Sequence, residues 1–170
     1  MERLWAPWRR EFVLKETPSS AAPAGQEAQC ILCEVLQVED GPGNLILHRG
    51  RRCFVLMNKY PYSNGHLMVV PLRHVKEFGE LSPEEGGEMF LLAQQCVSIL
   101  REKMGAQGFN LGLNLDKVAG AGIDDHLHLH IVPRWQGDHN FMTVLGEVRV
   151  IPEHLQKTYE TLRPAFPASE

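Results

Sequence analysis

The chain has no apolar run long enough to cross a membrane, no excess of basic charge, no internal repeat and only four cysteines. Each absence removes a class of protein. A spanning helix needs roughly 20 consecutive apolar residues, and none is present. The first ten residues hold three arginines and two tryptophans but no apolar h-region, so they do not read as a signal peptide and a cytoplasmic location is expected. Seventeen basic against 21 acidic residues leave a formal charge of −4. That balance argues against bulk binding to nucleic acid or to an anionic membrane. A nucleotide, which needs only a local site, stays open. Four cysteines in a reducing cell are not a disulfide framework, and the C-x-x-C pair Cys30 and Cys33 reads as a redox pair, two packed thiols or half of a metal site. The redox reading lacks a thioredoxin-like βαβ context.

What is present fits one domain with extensions: 170 residues, 44% hydrophobic and 22% charged, enough for a sizeable core. An apolar, aromatic arm (L-W-A-P-W-R) and a Pro/Ser/Ala-rich linker occupy 1–29. A short helix is expected over 31–38, ended by D-G-P-G, with short strands at 45–48 and 53–57 and a buried strand at 67–70 closed by Pro71. Ser82, Pro83 and Glu85 supply an N-cap, an N1 proline and an N3 glutamate for a helix reaching Met104 and stopping before Gly105. A strand at 109–114, a small-residue loop (V-A-G-A-G-I-D-D), a histidine-bearing strand and a terminal helix over 153–163 complete an α+β pattern.

The most informative run is D-H-L-H-L-H-I-V-P-R-W at 125–135. Side chains at i, i+2 and i+4 of a strand share a face, so His126, His128 and His130 line one surface while Leu127, Leu129 and Ile131 enter a core. From spacing alone, a metal centre and a nucleophile site are equally good readings. His48 and His154 read as surface residues, Arg134 as either a phosphate partner or a solvated strand end, and Phe54 and Leu56 as lining for a base pocket or as core.

H-L-H-L-H-I-V resembles the signature of the histidine triad (HIT) superfamily of nucleotide hydrolases and transferases. The resemblance extends over residues 30–134, including F-V-L-M-N-K-Y-P-Y-S-N-G-H-L-M-V-V-P-L-R-H-V upstream. The arm, the C-x-x-C, the A-G-A-G loop and P-R-W-x-G-D-x-N-F-M are similar to bacterial members of the diadenosine tetraphosphate phosphorylase type. The resemblance implies a HIT fold, an antiparallel sheet with helices packed against it, in a HIT domain over 30–135 with a C-terminal extension over 136–170. It also implies an enzyme that attacks the α-phosphate of a nucleoside polyphosphate, an adenine dinucleotide among them, as a homodimer. By resemblance His128 is the nucleophile, His130 donates to phosphate, and His66 is the fourth histidine of the network. Asn114 and the backbone of Gly122 and Ile123 are expected to meet phosphate. Asn58 stands where relatives carry a ribose-binding acid, and Ile123 near where many carry Ser or Thr. Zinc-bearing members take ligands at positions matching Cys30, Cys33, His74 and His126, implying a closed, structural zinc site. Two other readings remain: a metal-dependent hydrolase using His126, His128 and His130 together, and a nucleotide-binding module without catalysis.

Overall fold

The computed structural model describes residues 30–138 and 153–167. The arm and linker expected over 1–29, and His139, Asn140 and Phe141, lie outside the described residues. Five strands form one antiparallel sheet: β1 (Ile46–Arg49), β2 (Cys53–Met57), β3 (Leu67–Pro71), β4 (Gly108–Leu113) and β5 (Leu129–Arg134), in the order β1-β2-β3-β5-β4. Period-2 alternation splits the side chains between two cores. Leu47, Val55, Val69, Leu129 and Ile131 join the core on one face, and Ile46, Phe54, Leu56, Met68 and Val70 the core on the other. Phe54 is fully buried and Leu56 nearly so, which assigns both to packing.

The first core is covered by α2 (Pro83–Met104) and α3 (Leu155–Leu162). The stop and start signals of α2 act as expected. Ser82 accepts from the Glu85 N–H, the Glu85 carboxylate accepts from the Ser82 N–H, and Gly105 takes the left-handed conformation (φ 62°) beyond the last turn. A cap of this kind is worth about 1 kcal/mol. Met89, Leu92, Ala93, Cys96, Ile99 and Leu100 are buried along the helix; each large side chain among them contributes about 1.5–3 kcal/mol by leaving water. The terminal helix is tied in by Tyr159, whose hydroxyl donates to Ile46 O at 3.1 Å.

Three expectations change in detail. The segment over 31–38 is a single α-turn, α1 (Ile31–Glu34), followed by a 3-10 turn (Val35–Gln37). His48 is buried, stacked on Phe166 and 3.3 Å from Pro167 O, because the terminal segment folds over β1. The third concerns the triad: β5 begins at Leu129, so only His130 sits in the ladder. Both neighbouring ladders end at Leu129, paired with Val69 and Leu113. Beyond that point the Leu127 N–H donates to Val75 O at 2.7 Å, in the segment that follows Pro71. His126 and His128 are therefore a lead-in to the strand, held by the 72–75 strap.

Candidate active site and metal centre

The face opposite α2 carries the histidines, and all four members of the cluster are buried: His66, His126, His128 and His130. His66 stands just before β3, and Asn114 just after β4. On β4 the residue paired with His130 is Gly112, where an added Cβ would meet nothing within 4 Å. That glycine leaves open space on the flank of His130.

Main-chain groups determine which nitrogen of each ring carries the proton. The ring of His128 has Nδ1 2.9 Å from His126 O. A carbonyl can only accept, so Nδ1 donates and Nε2 keeps a free lone pair. His126 has Nε2 3.0 Å from Pro71 O, so its Nδ1 is the free acceptor. At His66 the logic reverses: the Tyr62 N–H donates to Nδ1 at 3.1 Å, leaving the proton on Nε2. That nitrogen lies 2.9 Å from His130 Nδ1, and His130 is left with its N–H on Nε2. The Asn114 atom nearest this Nε2, at 3.4 Å, is Nδ2; two donors cannot share one contact, so a ring proton here requires the amide turned over, with Oδ1 in that place. Neutral rings suit these bonds. Burial pushes the pKa of His126, His128 and His130 down, that of His130 to about 4, where the proximity of His128 adds to the effect. Adjacent triad members thus offer opposite functions, a lone pair on His128 and an N–H donor on His130.

The remaining lone pair, Nδ1 of His126, faces the cysteine turn. Cys30 Sγ is 3.3 Å and Cys33 Sγ 3.5 Å from it, and Cys33 Sγ is 3.4 Å from His74 Nδ1. All four donor atoms lie within 4.8 Å of one another. Zinc bonds of about 2.3 Å to sulfur and 2.0–2.1 Å to nitrogen give tetrahedral S···N edges of about 3.5 Å, so the donor set fits a four-ligand ion. The second ring nitrogen of His126 is anchored on a carbonyl, as metal-bound histidines require. Burial raises the Cys30 thiol to about 11, so a bound cation is what would hold it as thiolate. The strap that carries His74 is itself clamped: Arg73 donates from Nε and Nη2 to the Glu85 carboxylate at 3.0 and 2.9 Å, and from Nη2 to Glu80 O.

Of the expected nucleotide contacts, Asn114 and Ile123 come together with His126. With Lys76, Phe78 and Asp116 they line a cavity of about 140 Å³. The loop between Asn114 and His126 turns on Gly120 (φ 88°), and its Gly122 faces open space. Asn58 lies apart from this cavity; its Oδ1 accepts from the Tyr60 N–H at 2.8 Å. Arg134 is engaged by Asp138 and donates to Asn110 Oδ1 at 3.0 Å. His154 is exposed as expected and caps α3 through Nδ1. Sequence reasoning missed Tyr62, whose ring lies over His66 and His130 (centroids 4.7 and 5.7 Å apart), and the Arg73–Glu85 clamp. The run P-Y-S-N-G-H gave a signal for Tyr62, an aromatic four residues before a loop-end histidine.

The sheet, the row of histidines and the loop beside it are those of a histidine triad protein, and the HIT domain family matches residues 41–137. The chain belongs to that family. It is 39% identical over 166 residues to the AP-4-A phosphorylase of Mycobacterium tuberculosis strain H37Rv, covering 95% of this chain and 83% of that one. It is 31% identical over 119 residues to the bis(5'-adenosyl)-triphosphatase of Dictyostelium discoideum, covering 66% and 79%. Among solved structures it resembles a Zn-bound histidine triad family protein from Mycobacterium smegmatis, at 26% identity and a TM-score of 0.65, covering 81% and 92%.

Proposed function

We propose that this chain is a nucleotidyl transferase or hydrolase that cleaves dinucleoside polyphosphates at the α-phosphate through a nucleotidyl-His128 intermediate. The observation that carries the reading is the pair of backbone anchors, His126 O on His128 Nδ1 and the Tyr62 N–H on His66 Nδ1, which assign a bare Nε2 to His128 and an Nε2–H to His130. His128 attacks without first losing a proton, and the bond from phosphorus to the bridging oxygen breaks. The imidazolium so formed keeps its Nδ1–H on His126 O. His130, backed by His66, donates to a phosphate oxygen, with Asn114 and the backbone of Gly122 and Ile123 beside it. Phosphate or water then attacks phosphorus and restores the neutral ring. With phosphate, diadenosine tetraphosphate gives ATP and ADP; with water, ATP and AMP. The 39% identity to an AP-4-A phosphorylase supports this substrate class. Asn58 would meet ribose without a carboxylate's charge.

The HIT domain would span 30–135, flanked by the arm over 1–29 and the extension over 136–170. Cys30, Cys33, His74 and His126 would hold zinc, which when bound supplies a closed structural crosslink with no open coordination position. A homodimer is supported by β4, the edge strand among the described residues, where Leu111 is exposed and a second copy could extend the sheet. Four free thiols are in keeping with a reducing cytoplasm. The metal-hydrolase reading is disfavoured because the free nitrogen of His126 faces Cys30 and Cys33, whereas the outward nitrogen of His130 carries a proton in its assigned tautomer. The test is product analysis with diadenosine tetraphosphate: ADP only when phosphate is present marks a phosphorylase, AMP in both conditions a hydrolase. No cleavage, and no nucleotidyl group trapped on His128, would leave a binding module.

A further inference from the structure

The histidine relay begins on a main-chain donor, in a loop built to hold that donor still. Four bonds shape residues 58–66: Tyr60 N–H to Asn58 Oδ1 at 2.8 Å, His66 N–H to Ser63 O at 3.2 Å, Asn58 N–H to His66 O at 2.9 Å, and Ser63 Oγ to Pro133 O at 2.8 Å. Gly65 completes the turn at φ 72°, with Met104 Sδ 2.7 Å from where a Cβ would stand. This scaffold carries the Tyr62 N–H to His66 Nδ1. A main-chain amide cannot reverse its proton, whereas each imidazole can take either neutral form. Removing that donor takes away the anchor on His66 Nδ1, and in the reversed arrangement of the pair His130 would turn a lone pair toward the anionic phosphate.

We propose that Tyr62 is a positioning residue whose backbone N–H sets the tautomers of His66 and His130, so that His130 aims a proton at the substrate phosphate, while its ring shelters the relay from water. The catalytic meaning of that proton rests on the nucleotidyl-transfer reading; the tautomer assignment does not.

The test uses the full-length protein with Tyr62 replaced by its α-hydroxy acid, which turns the 61–62 amide into an ester and deletes only the N–H. Ring ¹⁵N shifts report the tautomers. The unmodified chain should hold both His66 and His130 as Nε2–H, and Tyr62→Phe and Tyr62→Ala should keep them so. The ester should populate the Nδ1–H form of His66 and mix the forms of His130. Its kcat for diadenosine tetraphosphate should fall about tenfold with little change in KM, the rate equivalent of one neutral hydrogen bond. Three results would overturn the proposal: an Nδ1–H on His130 in the unmodified chain, unchanged tautomers in a natively folded ester variant, or equal scrambling by Tyr62→Ala. If the ester variant does not fold, the unmodified chain and Tyr62→Ala still decide. The stated tautomers in a chain that forms no nucleotidyl-His128 would support the assignment and overturn the functional reading instead.

Discussion

The two ends of the histidine row are built on different principles. At the His126 end, side chains from three separate segments (the cysteine turn, the strap after β3 and the lead-in to β5) converge on one point. At the His66–His130 end, hydrogen bonds run in a line that starts on a main-chain N–H. Convergence of lone pairs calls for a cation, and a directed line of donors calls for an anion. His128 lies between them with its ring anchored on the backbone of the metal-end histidine. One short lead-in thus serves two opposite electrostatic tasks without mixing them.

The sharpest way to break this contrast is at His128. Replacing it with Ala should lower turnover by at least about 10³-fold, the scale seen when a nucleophile is removed, while nucleotide binding and metal content stay near those of the unmodified chain. Loss of metal from that variant, read by elemental analysis, would merge the two ends into a single metal centre. The next effect in size belongs to the metal end. Cys30→Ala should abolish stoichiometric zinc and lower unfolding stability by about 3 kcal/mol or more, the linkage expected when a ligand held near 100 times its Kd is lost. Chelating the unmodified chain should move denaturation in the same direction. Unaltered stability after verified metal loss would mean that the four donors are packed side chains.

The two ends also differed in how legible they were. Cys30, Cys33, His74 and His126 are side chains in recognisable spacing, and they come together as the resemblance implied. The H-L-H-L-H alternation holds for His130 on the face opposite Leu129 and Ile131, but Leu127, expected in the same core, lines the cavity beside His126 instead. It did not show that the ladder would end at Leu129, because that depends on where Val75 O lies after Pro71. Nor could it show the Tyr62 donor: every residue but proline has an N–H, so a backbone group that sets a tautomer leaves no residue-type signal. His48 was misread for a related reason, since its burial comes from the terminal segment more than a hundred residues away.

A smaller effect tests how the metal strap is held. The Arg73 guanidinium holds the Glu85 carboxyl at about 2, below its ordinary 4.5, with the Ser82 N–H assisting. A depressed carboxyl stabilises the fold fully above about pH 4.5, and that contribution fades as pH falls toward about 2. Glu85→Gln should therefore cost about 1 kcal/mol at neutral pH, given the half-exposed Arg73 partner. The gap from the unmodified chain should narrow as urea titrations move from neutral pH to about pH 3. A gap that stays constant with pH would place the cost in the lost capping geometry instead of the charge.

The smallest effect concerns the loop that joins the two ends, from Asn114 to His126. Asp116 adopts φ 64° and ψ 165°, a region that glycine occupies freely and other residues reach only at a cost of about 1–3 kcal/mol. Its side chain makes no capping bond. Its carbonyl accepts from the Ala119 N–H at 3.1 Å and the Ala121 N–H at 3.4 Å, so it is the backbone that shapes the turn. Glycine should keep both bonds and release the strain, against an entropy loss of about 0.5–1 kcal/mol. The expected net is a gain of about 1 kcal/mol in urea denaturation, with turnover close to that of the unmodified chain. Gly120→Ala, at φ 88° in the same loop, should shift stability the other way. If Asp116→Gly instead destabilises the protein and raises KM, the aspartate side chain is holding the loop, and the junction between the two ends belongs to the side-chain-built half of the site.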